Sequence, residues 1–196
     1  RDSSIPAIPG TTLCDLSVVA KVRDELGDGK AATLIAGSRP GPAALAAARD
    51  GVLDFLAAAV GGLEDGGYLK VKRALLPLAG QGLASVIGHP GRVDAQTAAL
   101  LNGTLGHALD YDDVQAGVRG HPSTVILPAL LAMAEESGAG AEALLAAYVT
   151  GVEAMARLGR AMGSRHYETG FHNTATLGPV GAAAALSHLL GLSAGD

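Results

Sequence analysis

The chain is poor in cysteine and in aromatic residues, and these shortages exclude several classes of protein. Its one cysteine, Cys14, cannot form an internal disulfide or supply the thiolate set of an iron–sulfur cluster. This cysteine usage is typical of a reducing compartment, so we expect a cytoplasmic protein. Tryptophan is absent and aromatic residues make up 3% of the chain, so the core has to be built from Ala, Leu and Val.

Basic clusters and membrane-directed segments are also scarce. The formal net charge is -5 and basic residues form no long run, which argues against a nucleic-acid surface and a polybasic membrane anchor. The sequence does not open with the charged and apolar regions of a signal peptide. The most apolar run, residues 175–192, carries Ser187 and His188 and barely reaches spanning length. We therefore expect a buried helix there, and neither nucleic-acid nor membrane partners.

Hydrophobic residues make up 48% of the chain and recur at helical spacing. This spacing predicts helices over residues 13–26, 42–60, 69–78, 94–111, 123–136, 141–162 and 174–190. Asp94 is the expected N-cap of the fourth helix, Ser123 or Thr124 that of the fifth, and Thr174 or Thr176 that of the last. The pattern predicts an all-α, multi-helix, bundle-like fold.

The segments between these helices are richer in Gly, Pro and polar residues. Residues 1–12 are expected to form a loose tail, residues 27–42 a connection and residues 163–173 a loop. A short β-hairpin is expected near residues 84–93. Because the sequence begins with Arg rather than Met and ends at Asp196, we also expect it to be part of a longer protein.

Charge and imidazoles concentrate in "NGTLGHALDYDDVQAGVRGHPS", residues 102–123. In a continuing helix, Gly103, His107 and Asp110 would share one face, and a glycine-flanked loop would then bring in His121. Tuned Asp and His side chains are the usual general acids and bases. The competing interpretation is a solvated "DYDD" turn beside a hydrogen-bonded core histidine.

A metal site is a second interpretation of the same segment. Carboxylate and imidazole groups are acceptable metal ligands, and the candidates would be His107, Asp110, Asp112, Asp113 and His121. Their spacing matches neither the HExxH motif nor the EF-hand loop. Since these side chains are equally the tools of metal-free proton transfer, we expect no metal and no other cofactor.

A second polar segment, "RHYETGFHNTATLG", precedes the last predicted helix. His172 stands just before that helix, whose N-terminus can attract a carboxylate, and Arg165 can add charge-assisted contacts. Taken alone, the segment is more typical of a capped helix with a solvated loop. Four residues receive no role: Cys14, His89, His166 and His188.

Four segments, in order, resemble the MmgE/PrpD superfamily: "AALLNGTLGHALDYDD", "GHPS" with "ILPALLAMAE", "AYVTGVEAMARLGRAMG" and "HYETGFHNTATLGPVGAAAALSHLLGL". That family includes 2-methylcitrate dehydratase, cis-aconitate decarboxylase and iminodisuccinate epimerase, and the resemblance covers residues 43–192. It implies that residues 13–196 are the N-terminal part of an all-α domain whose α/β lid is not in this sequence. It also implies a homodimer and metal-independent chemistry.

The resemblance assigns roles to individual residues. Asp110 matches a catalytic or substrate-contacting Asp, and His121 and His172 match active-site histidines. We expect the substrate-binding residues to be His107, Arg165, Thr174 and Thr176, whereas Asp112 and Asp113 are expected to shape the loop.

The resemblance implies a lyase or isomerase that abstracts a proton next to a carboxylate of a small polycarboxylate. Val114 stands where the decarboxylase has Thr, which argues against decarboxylation. Dehydration is the expected reaction, followed by epimerisation or decarboxylation as alternatives. The family's active-site lysines match no part of this sequence, so the segment alone is expected to be inactive. The alternative is a non-catalytic helical module that dimerises through its Ala- and Gly-rich faces.

Overall fold

The structure, a computed structural model, describes residues 29–196. These residues form seven α-helices: α1 (Lys30–Ala36), α2 (Pro42–Gly61), α3 (Gly66–Leu75), α4 (Ala95–Gly106), α5 (Ser123–Ser137), α6 (Ala141–Glu168) and α7 (Asn173–Leu189). Two short 3-10 turns, Gly62–Glu64 and Leu76–Leu78, follow α2 and α3. The predicted all-α fold is therefore confirmed, while the predicted tail and first helix, residues 1–26, lie outside the described residues.

The predicted hairpin is present, with β1 (Ala84–Ser85) antiparallel to β2 (Arg92–Val93). Asn102 of α4 holds it from one side: its Oδ1 accepts the Ile87 N–H and its Nδ2 donates to the Ser85 carbonyl, both at 2.9 Å. Glu135 of α5 holds it from the other side, because its carboxylate accepts both the N–H and the hydroxyl of Ser85. The hairpin thus connects α4 to α5 through hydrogen bonds to both helices.

The core lies where α5, α6 and α7 pack together. Its fully buried members include Ile126, Leu130 and Met155. Small residues permit the close approach of α6 and α7: a Cβ on Gly151 would lie 2.8 Å from the Gly181 carbonyl oxygen. A chain with so few aromatic residues therefore fills its interior by bringing helix backbones together rather than with large side chains.

Helix α4 begins as predicted but ends earlier. Asp94 caps it, because its Oδ1 accepts the Thr97 N–H at 2.9 Å. The helix stops at Gly106, not near Tyr111, and Asp110 adopts a left-handed backbone with φ 56. Acidic residues are disfavoured at a helix C-terminus, and Asp tolerates the left-handed region better than most residues.

Helix α3 spans Gly66–Leu75 rather than residues 69–78, and Pro122 rather than Ser123 or Thr124 occupies the N-cap position of α5.

Three further boundaries also differ from the prediction. Helix α1 occupies part of the predicted connection. Helix α6 resumes after a break at Gly163 (φ 67) and runs through most of the predicted loop. Helix α7 begins at Asn173 with His172 in the N-cap position, so neither Thr174 nor Thr176 is its cap. None of the helices within residues 29–196 is long and apolar enough to span a membrane.

Candidate active site

The loop between α4 and α5 carries the predicted site, and its shape comes from its own polar contacts. The backbone N–H of Gln115 donates to the Gly120 carbonyl at 3.1 Å, which closes a tight turn. Within this turn Val118 is fully buried, and its N–H donates to the Gln115 side chain at 2.7 Å. Buried Asn173, the first residue of α7, donates from Nδ2 to the Val118 carbonyl at 2.7 Å. The loop is thereby fastened to the start of α7.

A second contact joins the same two elements. The backbone N–H of His121 donates to Thr174 Oγ1 at 3.0 Å. Gly120 permits this approach, since a Cβ there would lie 2.7 Å from Thr174 Oγ1. As a result, the imidazoles of His121 and His172 face each other nearly in parallel, with ring centroids 6.5 Å apart and planes 3° apart.

Asp112 lies between two imidazoles on the inner side of the loop. Its side chain is 0% exposed, and its two carboxylate oxygens lie 2.9 and 3.0 Å from His107 Nδ1. Its Oδ2 lies 3.6 Å from His121 Nδ1, and its main-chain carbonyl oxygen lies 3.4 Å from the same nitrogen. The rings of His107 and His121 are 4.8 Å apart and tilted by 57°.

Asp110 approaches the same imidazoles from the solvent side. Its side chain is 77% exposed, and its Oδ1 lies 3.7 Å from His121 Nε2 and 4.0 Å from His107 Nδ1. His121 is therefore flanked by a buried carboxylate at Nδ1 and an exposed one at Nε2. The left-handed backbone of Asp110 is a sparsely populated conformation of the kind that clusters at functional sites.

Asp113 turns away from the imidazoles. Its Oδ1 accepts the N–H of Ser123 at 3.1 Å, and the Ser123 hydroxyl hydrogen-bonds to the hydroxyl of Tyr148. Burial raises the pKa of Asp113, although its hydrogen bonds from Ser123 act in the opposite direction. Burial likewise raises the pKa of Tyr148 to about 12. A polar network behind the loop thus secures the start of α5.

The second predicted segment is divided between two local structures. Exposed His172 and buried Thr174 lie beside His121. Thr176 lies elsewhere, and its hydroxyl is hydrogen-bonded to His166 Nε2 at 2.8 Å. His166 also stacks on Phe171, with centroids 4.9 Å apart, and burial lowers its pKa. Arg165 lies on the exposed surface in the last turn of α6.

The structure thus brings Asp110, His121 and His172 together, and His107 joins them. Asp112 is the member whose role the sequence did not indicate. Three aspartates lie within four residues, and no local pattern distinguishes the one that becomes buried. One potential ligand atom from each of His107, Asp110, Asp112 and His121 lies within 4.8 Å of the others, whereas Asp113 is not part of this group.

A known protein family matches almost the same residues that the structure describes. The MmgE/PrpD N-terminal domain matches residues 30–196. A cis-aconitate decarboxylase-like protein of Aspergillus oryzae is 40% identical over 124 residues, which is 59% of this chain and 26% of that protein.

Two further relatives are named cis-aconitate decarboxylase. The human protein is 36% identical over 117 residues (56% of this chain, 24% of that protein). The Aspergillus terreus protein is 32% identical over 149 residues (72% of this chain, 30% of that protein). The chain therefore spans less than a third of the length of these curated relatives.

Proposed function

The chain belongs to the MmgE/PrpD family, and from that premise we propose that Asp110, His121 and His172 form the acid–base part of a lyase site, with His107 beside them as a substrate-binding residue. The substrate class would be small polycarboxylates. The observation that carries the proposal is the position of His121. Its ring has a carboxylate oxygen within 4 Å of each nitrogen, and a third imidazole, from a segment about fifty residues away, lies parallel to it.

This arrangement suits proton transfer next to a carboxylate. In a dehydration, Asp110 or an imidazole takes the C–H proton, and the C–H electrons form the new double bond. The β-hydroxyl leaves as water with a proton from a second, protonated imidazole. His121 and His172 can divide these two roles, because their rings face each other.

A carboxylate group of the substrate would bind at the start of α7. Among the described residues, no side chain caps that helix, and its N-terminus carries partial positive charge. Arg165, in the last turn of α6, would add a positive charge near the same end. Thr174 would support substrate binding by holding the loop in place, since its hydroxyl accepts the His121 N–H. Thr176 would contact the substrate from its position beside His166.

We propose dehydration as the first reaction to test, because exposed Val114 stands where the decarboxylase has Thr. Decarboxylation of cis-aconitate is the second candidate, because the names of the relatives favour it. Epimerisation would use the same proton abstraction followed by return of the proton to the other face. A cytoplasmic homodimer completes the proposal.

The test is a substrate screen on the complete protein expressed from its reading frame. 2-Methylcitrate, cis-aconitate and iminodisuccinate are offered, and products are followed by NMR. We expect one of them to be converted, and His121→Ala to lower kcat by about 100-fold or more. His89→Ala is the control, because His89 lies in the turn between β1 and β2 and not in the loop between α4 and α5 or at the start of α7.

The outcomes separate the alternatives. Unchanged turnover in His121→Ala would remove the catalytic role of that residue. If none of the three compounds is converted, the result would favour the non-catalytic dimerisation module. Dialysis against a chelator is expected to leave turnover intact, and a loss restored by a divalent cation would favour the metal interpretation instead.

A further inference from the structure

Asp112 is the most buried of the three aspartates in the loop between α4 and α5. Its side chain is 0% exposed, and a buried carboxylate is tolerated only where polar partners compensate the loss of water. The side-chain partners placed around it are two imidazoles: His107 Nδ1 at 2.9 Å from Oδ1 and His121 Nδ1 at 3.6 Å from Oδ2. One carboxylate therefore faces the Nδ1 atoms of two imidazole rings.

The atoms that face these ring nitrogens can only accept hydrogen bonds. The carboxylate of Asp112 faces His107 Nδ1, and the same carboxylate together with the Asp112 main-chain carbonyl faces His121 Nδ1. An ionised carboxylate and a carbonyl have no proton to give. His107 Nδ1 therefore has to carry the proton, and in a neutral ring Nε2 is then the unprotonated nitrogen. His121 Nδ1 faces a buried carboxylate and a carbonyl at 3.4 Å, whereas the carboxylate nearest to its Nε2, that of Asp110, is exposed to water, so the proton is expected at Nδ1 there too.

We infer that Asp112 is a positioning residue that holds both His107 and His121 as the Nδ1–H tautomer and thereby assigns proton exchange to Nε2. At His121, Nε2 lies on the side of exposed Asp110, at 3.7 Å from its Oδ1. A proton taken from a substrate would bind at Nε2 while the Nδ1 proton stays in place, and Asp112 would balance the charge of the resulting imidazolium. The consequence for turnover rests on the proposed function, whereas the tautomer is a property of the fold.

The test is a direct reading of the tautomers in the complete protein. Histidine labelled with nitrogen-15 is followed by long-range proton–nitrogen correlation at about pH 9, where histidine is normally neutral. Variants His107→Gln and His121→Gln assign the two rings. We expect both rings to show the Nδ1–H pattern in the wild type. An Nε2–H pattern in both rings would overturn the inference, and one in a single ring would overturn it for that ring.

The substitution Asp112→Asn keeps the shape but replaces one acceptor oxygen by a donor. We expect at least one ring to change to Nε2–H and kcat to fall by about 100-fold or more, with a smaller change in KM. Asp113→Asn is the matched control, because Asp113 contacts Ser123 rather than an imidazole. It should leave both tautomers and kcat unchanged.

The possible results distinguish this inference from the proposed function. Nδ1–H rings in a protein that converts no polycarboxylate would support the tautomer and count against the lyase. Asp112→Asn with unchanged tautomers or wild-type kcat would overturn the positioning role. If Asp112→Asn does not fold, the wild-type tautomers still decide the question, and Asp112→Glu, which keeps the carboxylate, should recover more activity than any neutral substitution that folds.

Discussion

The hydroxyl of Thr174 accepts the backbone N–H of His121 at 3.0 Å. This bond joins residues 53 positions apart in the sequence and connects the loop after α4 to the start of α7. His172 precedes the same helix, so the bond also sets the distance between the two imidazoles. The integrity of the site therefore depends on a backbone contact as well as on the side chains that would do the chemistry.

Gly120→Ala should damage that contact. A Cβ at residue 120 would lie 2.7 Å from Thr174 Oγ1 and 3.0 Å from Thr174 N, so the loop has to move away from α7. We expect the free energy of unfolding, measured with urea, to fall by about 1–3 kcal/mol and turnover to fall with it. Gly66→Ala is the control, because nothing lies within 4 Å of a Cβ there. Equal stability of the two variants would contradict the prediction.

Asp110 has a left-handed backbone (φ 56). Two substitutions there can separate the effect of backbone strain on stability from the effect of the lost carboxylate on turnover. Asp110→Ala and Asp110→Gly both remove the carboxylate, so both should lose turnover to a similar extent. Ala is strained in this conformation and Gly is not, so Asp110→Ala should unfold more easily than Asp110→Gly by about 1 kcal/mol. A stability difference in the opposite direction would show that this backbone conformation is not retained.

Asp113→Asn should change how stability depends on pH. Burial raises the pKa of Asp113 in the folded protein above its ordinary 3.8, so folding favours the protonated form. Its contribution is fully present below about pH 3.8 and is lost as pH rises through the folded pKa. Asn keeps an oxygen for the Ser123 N–H and has no proton to lose. Relative to wild type, the variant should therefore gain stability from about pH 3 to about pH 7, and urea unfolding at both values checks this.

Tyr148→Phe should act in two pH ranges. Near neutrality it leaves the Ser123 hydroxyl without its partner, which should cost about 1 kcal/mol. The pKa of Tyr148 is raised from 10.0 to about 12, so the stability from its protonated form is present below pH 10.0 and is lost as pH rises to about 12. Over that interval the wild type should lose about 2–3 kcal/mol that the variant does not lose.

The same substitution at an exposed tyrosine is the control for this experiment. Tyr111 is 78% exposed, so Tyr111→Phe should follow the wild-type curve of unfolding free energy against pH. Parallel curves for wild type and Tyr148→Phe would show that the hydroxyl of Tyr148 is not buried in the folded protein.

The helices were largely predictable because their information is local. Apolar periodicity identified α2, α4, α5, α6 and α7, and the Asp94 cap was recognisable from one residue type before an apolar run. The ends were less predictable, since Gly163 interrupts α6 without ending it. Likewise, α4 stops where the chain turns toward partners on other elements.

The candidate site shows the same division between local and distant information. Sequence alone determined the all-α class, and the family resemblance drew attention to Asp110, His121 and His172. Their roles in catalysis remain predictions. Only the tertiary structure decided that Asp112 is buried between two imidazoles while Asp110 faces solvent. The physical reason is that a carboxylate's burial depends on partners that the fold supplies, and adjacent aspartates of identical chemistry carry no local mark of which will receive them.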